Sequence, residues 1–249
     1  MKIMIRLLPI LFILMSFNVQ SRTINMVTVD WAPFYSSELE KNGVVTAIVQ
    51  EALRRSDLES TIRFIPWKRA LVLVENGEYD AVMGGYYTDA RAEKYLYSDP
   101  IFDVDVGLVA LKELGFSRYD SLQDLTPYRI GVSLGWANGK EFDEADYLTK
   151  EEASNQILNV RKLFRQRVDM IAISFAVFQY ETNSLNHSKL EDVVYIQPPL
   201  SKSSLYLLVS KNILDGHDVV HAFNRGLNQM RKDGTYNRLL KEFNLNGYQ

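Results

Sequence analysis

The 249-residue chain contains no cysteine, which excludes disulfides, thiolate zinc sites and a cysteine nucleophile. Its stability must come from packing. Histidine is nearly as scarce, with three in the whole sequence. His217 and His221 stand four apart but lack the glutamate of a zincin helix, so they read as helix-surface residues, and His187 falls in a polar stretch. No G-x-S-x-G elbow occurs, nor a glycine-rich phosphate loop followed by lysine. These absences predict no catalytic residue, no metal site and no cofactor, and so no enzyme. Positive charge is not in surplus either: 28 Lys and Arg face 31 Asp and Glu, a net charge of −3. Nucleic acid is therefore not an expected partner.

Long apolar runs are confined to the first residues. Lys2 and Arg6 lead into the apolar stretch 7–17, and Val19 and Ser21 follow at the spacing of a cleavage signal. The stretch is short for a membrane span, which takes about 20 apolar residues. Residues 1–21 are expected to be a cleaved signal peptide, and without a following cysteine no lipid-modified N-terminus is expected.

From residue 22 onward, strand-like and helix-like runs alternate. Residues 24–29 are β-branched and stop at Pro33 in the loop Asp30-Trp31-Ala32-Pro33-Phe34-Tyr35. Val45, Ile48, Val49 and Ala52 recur at helical spacing. Residues 61–65 read as a strand, 67–76 as a helix bracketed by Pro66 and Gly77, and 79–83 as a third strand. This βαβαβ order predicts a parallel sheet with right-handed crossovers. A second unit follows strand 104–111: strand 128–133, the glycine turn Gly135-Trp136-Ala137-Asn138-Gly139, and a helix carrying Ala153, Ile157, Val160 and Phe164. Thr149 with Glu152 fits a capping box for that helix. Strand 168–173 then breaks at Ser174. Residues 190–204 read as loop around Pro198-Pro199, 205–210 as a strand, and 219–243 as two helices joined at Asp233-Gly234.

Two similar units flanked by polar passages near Lys112 and Ser203 predict a two-lobed α/β fold. Lobe 1 takes residues 22–110 and 205–249, lobe 2 takes 111–204, and hinge crossings fall near 110–113 and 203–206. A ligand cleft is expected between the strand ends of the two lobes. The densest local signal is residues 77–100, where a buried-type strand meets Gly84-Gly85, two tyrosines and a Thr-x-x-Arg turn. Thr88 can cap a helix, and Arg91 one turn on offers a planar fork that matches a carboxylate. On these residues alone, a carboxylate clamp and a solvated arginine beside an ordinary loop both stand open.

Several short motifs recur in a telling order: Gly43 before the first helix, Gly77-Glu78-Tyr79-Asp80-Ala81, Thr88-Asp89-Ala90-Arg91, Tyr97-Ser98-Asp99-Pro100, Asp124-Leu125 with Ile130-Gly131-Val132, Arg167-Val168-Asp169, and Asp233-Gly234-Thr235-Tyr236. Over nearly all of residues 22–249 the chain resembles the family 3 extracellular solute-binding proteins, the polar amino-acid type of periplasmic binding protein. The resemblance implies a type II periplasmic-binding-protein fold, each lobe a mixed sheet flanked by helices. It implies that Arg91 grips a ligand carboxylate with help from Thr88. Backbone near Gly85 and a helix start after Gly135 would line opposite walls and offer amides to anionic oxygens. Trp31, Tyr35, Trp67 and Tyr86 would flank the ligand, with Trp136 also at the cleft and Phe34 in the core.

The departure from the family pattern is Ser174, where amino-acid binders commonly place an aspartate against the ligand ammonium. A hydroxyl cannot balance a desolvated charge. Either Asp103, Asp105 or Glu141 supplies it, or the ligand is not a standard α-amino acid, which is the preferred reading. The implied protein is a periplasmic monomer that binds a small carboxylate-bearing solute and serves an inner-membrane ABC permease. The alternatives are a dehydratase acting on cyclic acids, on the same fold, and a protein that presents its ligand to a separate sensor.

Overall fold

The structure, a computed structural model, describes residues 22–184 and 190–243. The expected signal peptide and His187 lie outside the described residues. The first unit forms as its periodicity predicts: β1 (Thr23–Thr28), α1 (Val44–Arg54), β2 (Glu59–Phe64), α2 (Trp67–Glu75) and β3 (Ala81–Tyr86). β1 lies between β2 and β3 and pairs parallel with both, so the loops after all three strands open at one edge. α1 buries Val45, Ile48, Val49 and Ala52 against the sheet, the face its 3.6-residue spacing selects.

The chain continues through α3 (Asp89–Lys94), β4 (Tyr95–Tyr97) and β5 (Phe102–Leu111) into the second unit. That unit holds β6 (Arg129–Ser133), α4 (Lys140–Glu144), β7 (Thr149–Ala153), α5 (Gln156–Phe164), β8 (Met170–Ser174) and α6 (Phe175–Ser184). β6 again sits between two parallel partners, β7 and β8. The chain returns through β9 (Val193–Ser210) and ends in α7 (Gly216–Lys232) and α8 (Thr235–Glu242). α7 packs closely on α1 through Gly226, where an added Cβ would lie 1.9 Å from the Ala52 carbonyl oxygen. His217 and His221 stand exposed on α7.

Three expectations need correction. The residues around Thr149 form strand β7, paired in register with β6 from Arg129 to Ser133. The helix begins later, where the Asn155 side chain accepts from the Leu158 amide at 3.0 Å. Sheet pairing overrides the capping pattern at Thr149, and a good N-cap stands six residues on. Residues 193–210 are one long strand instead of a loop followed by a strand. The two prolines are accommodated where the β5 ladder shifts register: β5 partners jump from Ile196 to Ser201 while β5 advances only from Leu108 to Val106. Residues 197–200 are thus outside that ladder, a place proline can occupy.

The third correction concerns the sheet. Instead of one sheet per lobe, the strands join in one path, β2-β1-β3-β9-β5-β8-β6-β7, with β4 also on β9. The cause is the length of β5 and β9. β9 pairs antiparallel with β3 and β4 through Leu205–Ser210 residues and with β5 along its remainder, while β5 also pairs with β8.

Candidate functional site

The site is built where β3 ends. Gly84 has φ +82 and a register shift against β9 follows Met83. The Tyr35 hydroxyl donates to the Gly84 carbonyl at 3.1 Å, and a Cβ on Gly84 would stand 2.5 Å from that hydroxyl. Glycine is required there on both counts. Beyond the bulge, Tyr86 leads to Thr88, whose extended backbone and hydroxyl cap α3 by accepting from the Arg91 amide at 3.1 Å. This cap fixes the backbone from which the Arg91 guanidinium reaches back.

Arg91 Nη1 donates to the Tyr86 carbonyl at 3.0 Å, and Nη2 donates to the Gly135 carbonyl at 2.9 Å. Trp67 Nε1 donates to the same Gly135 oxygen at 3.2 Å. The guanidinium carbon lies 5.3 Å from the Trp67 ring centroid, within cation–π range. Among the described residues no carboxylate forms an ion pair with Arg91. Burial holds its pKa below the ordinary arginine range, opposed chiefly by Tyr97 and Tyr95. Gly135 therefore presents a carbonyl, not the expected amide. The helix that follows the glycine turn is α4, which starts at Lys140 behind Gly139.

Aromatic rings fill the space beside this cation. Trp136 packs between Trp31 at 5.4 Å and Trp67 at 5.8 Å, and Trp31 also meets Tyr86 edge-on at 5.9 Å. Trp31 Nε1 donates to Gln156 Oε1 at 2.9 Å. Phe34 and Tyr35 are fully enclosed. Burial raises the Tyr86 phenol well above its usual range, so it is a neutral hydroxyl. Tyr86 Oη and Ser174 Oγ are both buried without a hydrogen-bond partner among the described residues. Ser174 ends β8 opposite Val106, and Gly85 is buried in β3 opposite Tyr206.

A cavity of about 560 Å³ adjoins the tryptophans; Trp31, Trp67 and Trp136 wall it, and Asp30, Gln156 and Glu181 line it. None of the acids expected from the sequence belongs to it. Asp103 and Asp105 line a separate depression with Lys202 and Arg231, and Glu141 is exposed on α4. Asp143 is near enough to stabilise the charge of Arg91, but it accepts from the Asn138 and Gly139 amides at 2.9 and 3.3 Å. Asp30, Gln156 and Glu181 escaped the sequence reading. Asp30 was legible as the neighbour of Trp31, whereas Glu181 lies two helical turns beyond Ser174 and reaches the cavity only through the tertiary fold.

Parallel units flanking long antiparallel strands, with loops gathered at the strand ends, are the architecture of type II periplasmic binding proteins. The chain belongs to the bacterial extracellular solute-binding proteins, family 3, whose model matches residues 24–246. Among solved structures it is similar to a variant of ArgBP from T. maritima, at 21% identity and TM-score 0.74, covering 89% of this chain and 94% of that one. A histidine kinase sensor domain with similarity to periplasmic binding proteins superposes with TM-score 0.77 at 16% identity, covering 90% and 96%. The substrate-binding protein AbpA from Streptococcus pneumoniae, bound to L-arginine, gives 0.72 at 15% identity, covering 91% and 96%. At these identities the likeness is one of fold. No curated protein sequence matches the chain.

Proposed function

We propose that the protein is a periplasmic binding protein that captures a small carboxylate-bearing solute, and that Arg91 is its anchor. The observation that carries this reading is the Arg91 guanidinium, a partly buried cation held by carbonyls of Tyr86 and Gly135 and by no carboxylate among the described residues. A ligand carboxylate makes charge-assisted bonds roughly twice as strong as those to a neutral carbonyl, so it would displace Gly135 from the fork. Thr88, Gly85, Tyr86, Trp31, Tyr35, Trp67, Gly135, Trp136 and Ser174 form the remainder of the proposed site. The protein acts as a monomer that binds without turning its ligand over, and it hands the ligand to an inner-membrane ABC permease. Arg91→Ala should weaken ligand binding by about 2–5 kcal/mol, the usual loss when one partner of a buried charge pair is removed. Unchanged affinity in calorimetry would sink the assignment.

The proposed ligand has no α-ammonium. Ser174 offers a hydroxyl where a buried cation would need an anion, and the acids considered from the sequence lie elsewhere. A panel of the twenty amino acids should therefore give little thermal stabilisation, while another carboxylate raises the melting temperature by mass action. Micromolar binding of an ordinary amino acid would contradict this preference. A second reading, presentation of the ligand to a separate sensor, draws on the likeness to a histidine kinase sensor domain. A pull-down from membranes with ligand-saturated protein separates the two: a permease or a sensor kinase is retained.

A further inference from the structure

The helical period divides α7 into two faces. Val219, Phe223, Leu227 and Met230 are buried on its inner face. The outer face carries His217, His221, Arg225, Asn228 and Lys232, all exposed and three or four residues apart, and the last four line a shallow depression with Asn224 and Gln229. Leu214, in the turn that leads into the helix, is fully exposed. We infer that this face is a membrane-contact surface: α7 lies along an anionic phospholipid bilayer, with Arg225 and Lys232 against headgroup phosphates and Leu214 inserted at the boundary of the acyl chains.

The charge pattern is the first support. The whole chain has a net charge of −3, yet α7 carries Arg225, Arg231 and Lys232 against the single acid Asp218. Arg225 and Lys232 form no ion pair among the described residues, and no carboxylate lines the depression they share. The acids at its margins are engaged elsewhere: Asp215 is paired with Arg22, and the Asp99 carboxylate accepts from Asn228 Nδ2 at 3.2 Å. Lys211 extends the positive character to the Leu214 turn, where its ammonium donates to the carbonyls of Ala92 and Glu93 at 2.7 and 3.0 Å.

Leu214 is the second support. An apolar side chain wholly in water beside a row of cations is the composition of a segment that settles into a membrane interface. Shape separates this partner from an acidic protein. The row from His217 to Lys232 runs about 22 Å along one helix, its depression is shallow, and it lacks the aromatic or apolar centre on which a protein interface depends. A flat layer of phosphates fits it. The acidic remainder of the molecule is repelled by the same layer, so contact is weak, reversible and confined to one orientation, α7 downward.

The test is vesicle co-sedimentation of the mature protein with phosphatidylglycerol and phosphatidylcholine in equal parts, and with phosphatidylcholine alone. At about 0.01 M salt, where charges act over about 30 Å, the protein should sediment with the anionic vesicles only, and about 1 M salt should release it. Arg225→Gln with Lys232→Gln should lower the partition coefficient about tenfold. Leu214→Ser should lower it several-fold without altering charge. Arg165→Gln with Arg167→Gln removes two exposed cations just past the end of α5 and should cost far less. All of the altered side chains are exposed, and matching melting curves would confirm that the variants fold. No sedimentation at low salt overturns the inference, as does equal binding to phosphatidylcholine alone. Equal losses in the α7 and α5 variants would assign the attraction to overall charge and overturn it as well. Retention on immobilised polyglutamate through Arg225 and Lys232, with no vesicle binding, would replace the bilayer with an acidic protein partner.

Discussion

Two buried hydroxyls show how the proposed site trades stability for recognition. Tyr86 Oη and Ser174 Oγ have no hydrogen-bond partner among the described residues, and leaving such a group unsatisfied costs about 1–3 kcal/mol. Tyr86→Phe should therefore raise the unfolding free energy of the ligand-free protein, by about 1 kcal/mol, while weakening ligand binding. Denaturant titration and calorimetry on the one variant read both effects; a loss of stability would mean that the hydroxyl is satisfied in solution. Ser174→Asp should move the site in the other direction. It adds the anion that an α-ammonium needs, so amino acids that leave the natural protein unaffected should begin to raise its melting temperature. If no member of the amino-acid panel gains, Ser174 is not at the α position of the ligand.

Among the elements, α1 carries the acid-sensitive tie of the first unit. Glu51 accepts from Arg54 at 2.7 Å and from Arg55 at 2.8 Å, and Arg55 reaches on to Asp233 at 2.5 Å, joining α1 to the turn before α8. The hydrogen bond from Arg54, with that from Arg55, holds the Glu51 carboxyl down to about 2 against the raising effect of burial. A depressed carboxylate contributes stability that is complete above its unfolded pKa and disappears as pH falls through its folded one. Glu51→Gln should thus lower the melting temperature at neutral pH and flatten its fall between about pH 5 and pH 2. An equal fall in both proteins would show that the pair contributes nothing in solution. Elements that local pattern can encode were legible in the sequence: α1 from its apolar spacing, α2 from its Pro and Gly brackets, and α3 from the Thr88 cap. β7 and β9 were not. Thr149–Ala153 has the residues of a helix start and becomes a strand through pairing with β6, and the prolines of β9 disguise a strand whose ladder skips them. The same division holds at the site. Arg91 and the tryptophans stood out by type and motif, while Glu181, Gln156 and the Gly135 carbonyl became relevant only through contacts between segments distant in sequence.

At the scale of the molecule, the continuous sheet sets the terms for any movement of the proposed lobes. The first unit joins β9 through β3, the second joins β5 through β8, and the two units are linked by β5 and β9 themselves. Ala110 pairs with Met170 of β8 and Val194 of β9, and we propose that the first crossing uses the stretch of β5 before it, residues 102–106. The residues opposite are 201–205 of β9, and we propose the second crossing there. Two adjacent strands can twist and bend together as a pair of straps, letting the lobes rotate about one axis. Contacts between the units would report that rotation: Arg91 to Gly135, Trp31 to Gln156, and the exposed ion pair of Lys140 with Asp89 at 2.6 Å. Both charges of that pair are exposed to solvent and screened, so the ligand must supply most of the bias by bonding both sides. Solution scattering should show a smaller radius of gyration in ligand-saturated protein than in protein stripped by unfolding and refolding, and tryptophan emission should shift as Trp136 moves against Trp31 and Trp67. A stripped protein that matches the saturated one in both readings would mean that the lobes do not move on binding, and that β5 and β9 form a rigid spine in place of a hinge.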